Sequence, residues 1–211
     1  MPITFLSILI FLSAISYLLA IKTKNQTLLY ILKPGTMLLI IIFALTSLPS
    51  STPGFATWIL VGLVLSLFGD IFLMLPKDRF LPGLIAFLLA HICYIIAFLQ
   101  LPVQQEVNVF FTIGLMVVAL FFFAILQKQI QKNSGLQLVI AVFFYIVLIT
   151  AMVWCAVATA NLLIIVGAVL FYFSDATLAW DRFVKPLKLR SYLVMSTYFS
   201  AQYLFALALF I

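Results

Sequence analysis

Four side chains able to carry charge lie inside otherwise apolar stretches of this chain: Lys33, Asp70, His91 and Asp175. A carboxylate surrounded by hydrocarbon is costly unless it faces protein or water, so each of these is a candidate functional group. Two carboxyl groups sharing a partly dry cavity cannot both persist as anions at low cost, which leaves one as an acid and the other as a base. Acid-catalysed hydrolysis of an ether-like bond needs that division, one carboxyl giving a proton while the other activates water. A lysine beside them keeps the second carboxylate ionised or holds a lipid phosphate.

Positioning these groups requires a chain that crosses a bilayer. Of its 211 residues 67% are apolar and 8% charged, with a mean hydropathy of +1.34. A water-soluble domain carries about a quarter charged residues. A helical span needs about 20 mostly apolar residues, and eight such runs are present, over 3–21, 28–48, 55–75, 81–99, 108–126, 136–158, 161–179 and 190–210. The predicted fold is therefore an all-α polytopic membrane protein, residues 1–211 forming a single transmembrane domain. Continuously apolar runs exclude a porin-type barrel, whose strands alternate with period two.

The basic residues divide cleanly between the connecting loops. Lys22, Lys24, Lys77, Arg79, Lys128, Lys132, Arg182, Lys185, Lys188 and Arg190 fall in or beside alternate loops, with Lys33 just inside the second span. The intervening loops, around 49–54, 100–107 and 159–160, hold Glu106 and no Lys or Arg. Positive loops stay cytoplasmic, so both termini are expected outside the cytoplasm, in a bacterial inner membrane. The net charge of +6 needs no nucleic acid to explain it; attraction to anionic membrane lipids suffices. Residues 1–4 lack a basic n-region and read as part of a first span rather than a removable signal peptide. Cys93 and Cys155 both fall within spans and read as buried small side chains. Asn25-Gln26-Thr27 matches a glycosylation sequon on the cytoplasmic side, where chance explains it better.

Depth unites the charged candidates. Lys33, Asp70 and Asp175 each lie about five residues from the basic end of their spans, roughly 7–8 Å below the interface at ~1.5 Å per residue. His91 lies near the middle of the fourth span, with Phe87 and Tyr94 on the same face. Gly83, Ala86 and Ala90 allow a close helix neighbour there. Tyr145, Tyr198 and Gln202 complete a set able to line a polar cavity open to the inner leaflet. Structural alternatives stand beside this reading. The aspartates also suit ion pairs with Lys33 or the loop arginines, His91 a bond to a carbonyl, the tyrosines packing, and Gln202 interhelical bonding.

The third and seventh spans repeat one another. Residues 61–73 and 166–178 agree at seven of thirteen positions, the paired Asp70 and Asp175 among them, and Asp-Arg-Phe recurs at 78–80 and 181–183. The repeats are expected to be two parallel four-helix halves, about 1–105 and 106–211, related by an axis near the membrane normal.

The chain resembles the lysoplasmalogenase family of YhhN-like membrane proteins. The matching pieces are Lys33-Pro34, the run from Gly69-Asp70 to Met74, the stretch from Phe80 to Tyr94 through His91, Tyr145 with Met152, Gly167 to Phe171 leading to Ser174-Asp175, and Tyr198 with Ala201-Gln202. Pro82 departs from the family stretch without touching these positions. The resemblance implies an eight-span hydrolase cleaving the vinyl ether bond of lysoplasmalogen, a lysophospholipid, to a fatty aldehyde and a glycerophospho-alcohol. It implies Asp70 and Asp175 as the catalytic pair and Lys33, His91, Tyr94, Tyr145, Tyr198 and Gln202 as cavity residues that bind substrate. Neither a cofactor nor a metal is expected: no phosphate-binding glycine loop, zinc helix motif or nucleophile elbow occurs. The rival class is a proton-coupled transporter of small molecules or lipids, since paired halves and intramembrane carboxylates also suit carriage. A non-catalytic lipid-binding or scaffolding protein is the third reading.

Overall fold

A computed structural model of the chain describes residues 3–47, 52–75 and 79–210, the side chains of 133 and 134 excepted. Lys77 and Asp78, the latter the first residue of the first Asp-Arg-Phe motif, lie outside the described residues. Among the described residues eight helices follow one another: α1 (Ile3–Thr23), α2 (Gln26–Leu45), α3 (Pro53–Met74), α4 (Phe80–Leu99), α5 (Val109–Ser134), α6 (Leu136–Ala158), α7 (Leu162–Phe183) and α8 (Arg190–Leu207), closed by a 3₁₀ turn at Ala208–Phe210. All eight are long and apolar enough to cross a membrane, and no strand occurs among the described residues.

Helix starts follow from local chemistry. Asn25 caps α2 by accepting from the Leu28 amide at 3.2 Å, so the asparagine of the sequon has a structural task. Asn108 accepts from Phe110 at the head of α5, and Asn161 accepts from Leu163 and Ile164 at the head of α7. Each satisfies amides that the first helical turn leaves unpaired. Two ends differ most from expectation. The seventh helix runs to Phe183 rather than 179, and the fifth to Ser134 rather than 126. An apolar run stops at the membrane interface, but Gln and Lys are good helix formers, so the backbone continues until Gly135, with φ of 83°, turns it.

Close packing concentrates where glycines permit it. A Cβ on Gly62 would lie 2.4 Å from the Tyr94 ring, one on Gly69 2.6 Å from Phe87, and one on Gly83 2.8 Å from Leu73, so α3 and α4 meet nearly backbone to ring. Gly167 plays the same part between α7 and Phe205 of α8. Interhelical hydroxyl bonds join α1 to α2 (Ser13 to Thr36, 2.7 Å) and α8 to α1 (Tyr203 to Ser7, 2.9 Å). The main core draws on α1–α4 and α6–α8, while α5 contributes to a smaller cluster of Ala119, Leu126, Ile130, Val142 and Ile146. Phe11, Phe110 and Phe121 point outward, as expected where hydrocarbon replaces water. The cysteines are unpaired.

Candidate active site

Asp70, on α3, is buried, and both of its carboxylate oxygens are engaged. The Lys33 ammonium, from α2, lies 2.9 Å from Oδ1. The Tyr198 hydroxyl, from α8, donates to Oδ2 at 2.7 Å. Gly69 makes this possible, because the face of α3 beside the aspartate carries no side chain and α4 can close over it.

Asp175, on α7, is held differently. The Tyr145 hydroxyl of α6 donates to Oδ2, and the His91 ring of α4 brings Nε2 to 3.6 Å from the same oxygen, too long for a hydrogen bond. His91 has no exposed surface and stands edge-on to Tyr145 and Phe171, with centroids 5.0 and 4.9 Å away. Neither of its nitrogens finds a hydrogen-bond partner among the described residues. Next to Asp175, the Ser174 hydroxyl donates to the Val194 carbonyl at 3.1 Å and fixes α7 against α8.

The two aspartates line one chamber of about 130 Å³. Lys33 and Tyr198 share its wall with Tyr17 of α1 and with Arg190 and Ser191 at the start of α8. Beside it runs a slot of about 40 Å³ between α4, α5, α6 and α7, walled by Leu84, Phe122, Leu126 and Ile146 and reaching Tyr145 and Asp175. Chamber and slot share Leu73, Phe87, Leu178 and Asp175. The Asp175 carboxyl therefore stands where a polar space meets an apolar one, an arrangement suited to an amphiphile whose reactive bond joins head to chain.

Not every expected cavity residue reaches the chamber: Tyr145 lines the slot alone, and His91, packed behind it, lines neither. Tyr94 donates to Gln202 Oε1 at 2.6 Å, with the Ser66 hydroxyl 3.4 Å from the tyrosine oxygen. All three lie one turn further from the basic loops than Asp70, His91 and Tyr198, and line neither chamber nor slot. Beyond them the rings of Tyr94, Phe98, Phe171 and Phe205 pack together, with Tyr94 and Phe205 centroids 4.7 Å apart, and floor the site. Tyr17 and Arg190 are chamber residues that the sequence reading did not single out. Tyr17 lies one turn and a half before Lys22 in α1, so the depth argument that found Lys33 would have reached it had polar aromatics been included.

Fold and site together define a class: an eight-helix integral membrane protein with two aspartates in a buried chamber near its basic loops. The chain belongs to the YhhN family, which it matches over residues 28–209, a range holding every chamber residue named above except Tyr17. It is 35% identical over 156 residues to lysoplasmalogenase TMEM86B of Mus musculus, covering 74% of this chain and 65% of that protein. The human TMEM86B lysoplasmalogenase is 31% identical over 159 residues, 75% of this chain and 66% of the relative. Lysoplasmalogenase TMEM86A of Bos taurus is 34% identical over 164 residues, 72% and 65% of the respective chains. The chain thus spans just under two thirds of the length of the curated relatives it matches. No solved structure matches it.

Proposed function

We propose that this protein hydrolyses the vinyl ether bond of a lysoplasmalogen, releasing a fatty aldehyde and a glycerophospho-alcohol. The observation that carries this reading is that Asp70 and Asp175 line the same chamber with unlike partners. The Lys33 ammonium stands against Asp70 as its countercharge. Among the described residues no Lys or Arg pairs with Asp175, whose Oδ2 takes only the neutral Tyr145 hydroxyl. Asp175 is accordingly assigned the general acid and Asp70 the general base.

The steps balance with water as the sole co-reactant. The Asp175 proton moves to the alkenyl carbon one bond removed from the ether-bearing carbon, and the resulting oxocarbenium ion is stabilised by the adjacent oxygen. Water, relieved of a proton by Asp70, adds to the ether-bearing carbon. The hemiacetal then collapses, its hydroxyl proton leaving and the glycerol oxygen taking one up, to give aldehyde and alcohol. The substrate's chain is directed toward the slot and its glycerol lies in the chamber, at the end of the bundle that the positive-inside rule places at the cytoplasmic leaflet. A transporter would need passage through the aromatic floor formed by Tyr94, Phe98, Phe171 and Phe205, all buried, which favours the hydrolase.

Purified protein mixed with lysoplasmalogen is expected to release aldehyde, and Asp70→Asn or Asp175→Asn is expected to lower the rate by about 10²–10⁴-fold without loss of folded protein. Normal turnover by both variants would defeat the assignment.

A further inference from the structure

The sequence contains three arginines, Arg79, Arg182 and Arg190. All three line one cavity of about 390 Å³ between the ends of α3 and α7, the head of α4 and the head of α8. Basic loops explain the sign of this charge but not the choice of residue. Of the loop lysines described, Lys22, Lys24, Lys128, Lys132, Lys185 and Lys188 line neither this cavity nor the reaction chamber. A planar guanidinium differs from an ammonium in offering paired donors that match phosphate oxygens.

Among the described residues one acidic side chain shares the wall, and it is already committed. Asp181 Oδ1 accepts the Leu187 amide at 2.8 Å, and Oδ2 lies 3.5 Å from Arg190 Nε, so Asp181 ties the α7–α8 turn and orients Arg190. Arg182 is steadied over the Phe80 ring at 5.0 Å. Among the described residues, three guanidinium groups and one carboxylate line the cavity. It is also contiguous with the site: Leu73, Leu178 and Arg190 belong to both this vestibule and the aspartate chamber.

We infer that the vestibule is a binding site for the phosphate of a lysophospholipid head group, with Arg79 and Arg190 as its specificity-determining residues. This inference rests on the lysophospholipid reading above and adds the means by which the substrate is set in register. A lysolipid carries its phosphate and its ether oxygen at opposite ends of a three-carbon glycerol. Phosphate anchored at Arg190 leaves the glycerol to enter the adjoining chamber and the ether bond to face Asp175.

The test uses the full chain in detergent and a probe that cannot be cleaved, a 1-O-alkyl lysophosphocholine with a saturated ether. Its dissociation constant is compared with that of a 1-O-alkylglycerol, which keeps the chain and lacks the phosphate. Arg79→Gln is expected to weaken the lysophosphocholine at least tenfold while changing the alkylglycerol less than twofold; Arg79→Lys is expected to restore only part of the loss. Equal weakening of both probes, or of neither, in variants that melt like the wild type would overturn the inference. Inorganic phosphate and glycerophosphocholine are added as competitors. Displacement of the probe by inorganic phosphate at equal concentration would also overturn it, because the vestibule would then read free phosphate rather than a lipid. Since the probe undergoes no reaction, absence of hydrolysis in a separate assay would sink the proposed activity and leave this binding result standing.

Discussion

Replacing Lys33 by methionine isolates the ion pair on which the chamber is built. Lys33 and Asp70 side chains are 9% and 2% exposed with Nζ 2.9 Å from Oδ1, so water screens them little. At an effective dielectric constant of 20 the attraction at that distance is about 5–6 kcal/mol, much of it offset by the desolvation of both groups. Removing one partner exposes that cost, because the other charge stays buried with a single hydroxyl, from Tyr198, for compensation. The expected loss is about 3–5 kcal/mol, a fall in melting temperature of roughly 6–20 °C for a chain of this size. Thermal melts in detergent micelles, read by retention of monodisperse protein, measure it. Lys33→Met with Asp70→Asn leaves no uncompensated charge and keeps an acceptor for Tyr198, so the double variant is expected to regain most of the stability and none of the aldehyde release. If Lys33→Met alone melts within about 2 °C of the wild type, under 1 kcal/mol by the same scale, the pair is not the buried interaction described and Asp70 loses its claim to a fixed charge.

Tyr145→Phe removes the hydroxyl that orients Asp175. Asp175 becomes charged as it gives up its proton, and a hydrogen bond to a charged group contributes about 1.5–3 kcal/mol, so single-turnover rates of aldehyde release should drop about ten- to a hundredfold, and an unchanged rate would dissociate Tyr145 from the chemistry. Gly69→Ala would drive a Cβ to 2.6 Å from the Phe87 ring, costing about 1–3 kcal/mol in melting experiments. Gly114→Ala meets nothing within 4 Å and should gain up to about 1 kcal/mol from helix propensity; equal effects at the two glycines would refute the packing argument. Tyr94→Phe takes away the donor to Gln202 and should cost about 1–3 kcal/mol of stability while leaving the aldehyde release of the folded fraction within twofold, since Tyr94 lies outside the chamber.

What the sequence disclosed about this site was depth, and what it withheld was direction. Position within a span is a coordinate along the membrane normal, so Lys33, Asp70 and Asp175 could be assigned to one level from counting alone, and the chamber contains all three. Rotation about a helix axis is written in the contrast between a buried and an exposed face, and in a bilayer that contrast is weak because core and lipid are both apolar. Tyr94 and Gln202 illustrate the consequence. Polarity marked them as cavity residues, but their best partners proved to be each other. The split between chamber and slot was equally hidden, since its walls depend on how α5, contributing Phe122 and Leu126, leans on α6 and α7. Arg190 escaped notice for a different reason: the positive-inside rule already accounted for a basic residue there, so its place beside the chamber carried no surplus signal.

The partners of the two aspartates bear on the parallel halves expected from the repeat. Asp70 of α3 is held from α2 and α8; Asp175 of α7 is approached from α6 and α4. Exchanging the first four helices for the last four turns one set into the other. Gly62 and Gly167, equivalent in the repeat, each receive an aromatic ring from the following helix, Tyr94 and Phe205. Those rings, like Phe87 with Tyr198 and His91 with Gln202, stand at a common offset of 111 residues. Two related halves are the economical account of this exchange, and we propose them on that ground. Under the proposed reaction, the chemistry lies in where these halves part company. Among the described residues Lys33 has no Lys or Arg counterpart beside Asp175, and Phe87 stands where its equivalent, Tyr198, donates to Asp70. A symmetric pair would give two identical carboxylates; the departures give one whose charge is compensated and one whose charge is not, which is the difference that a general base and a general acid require.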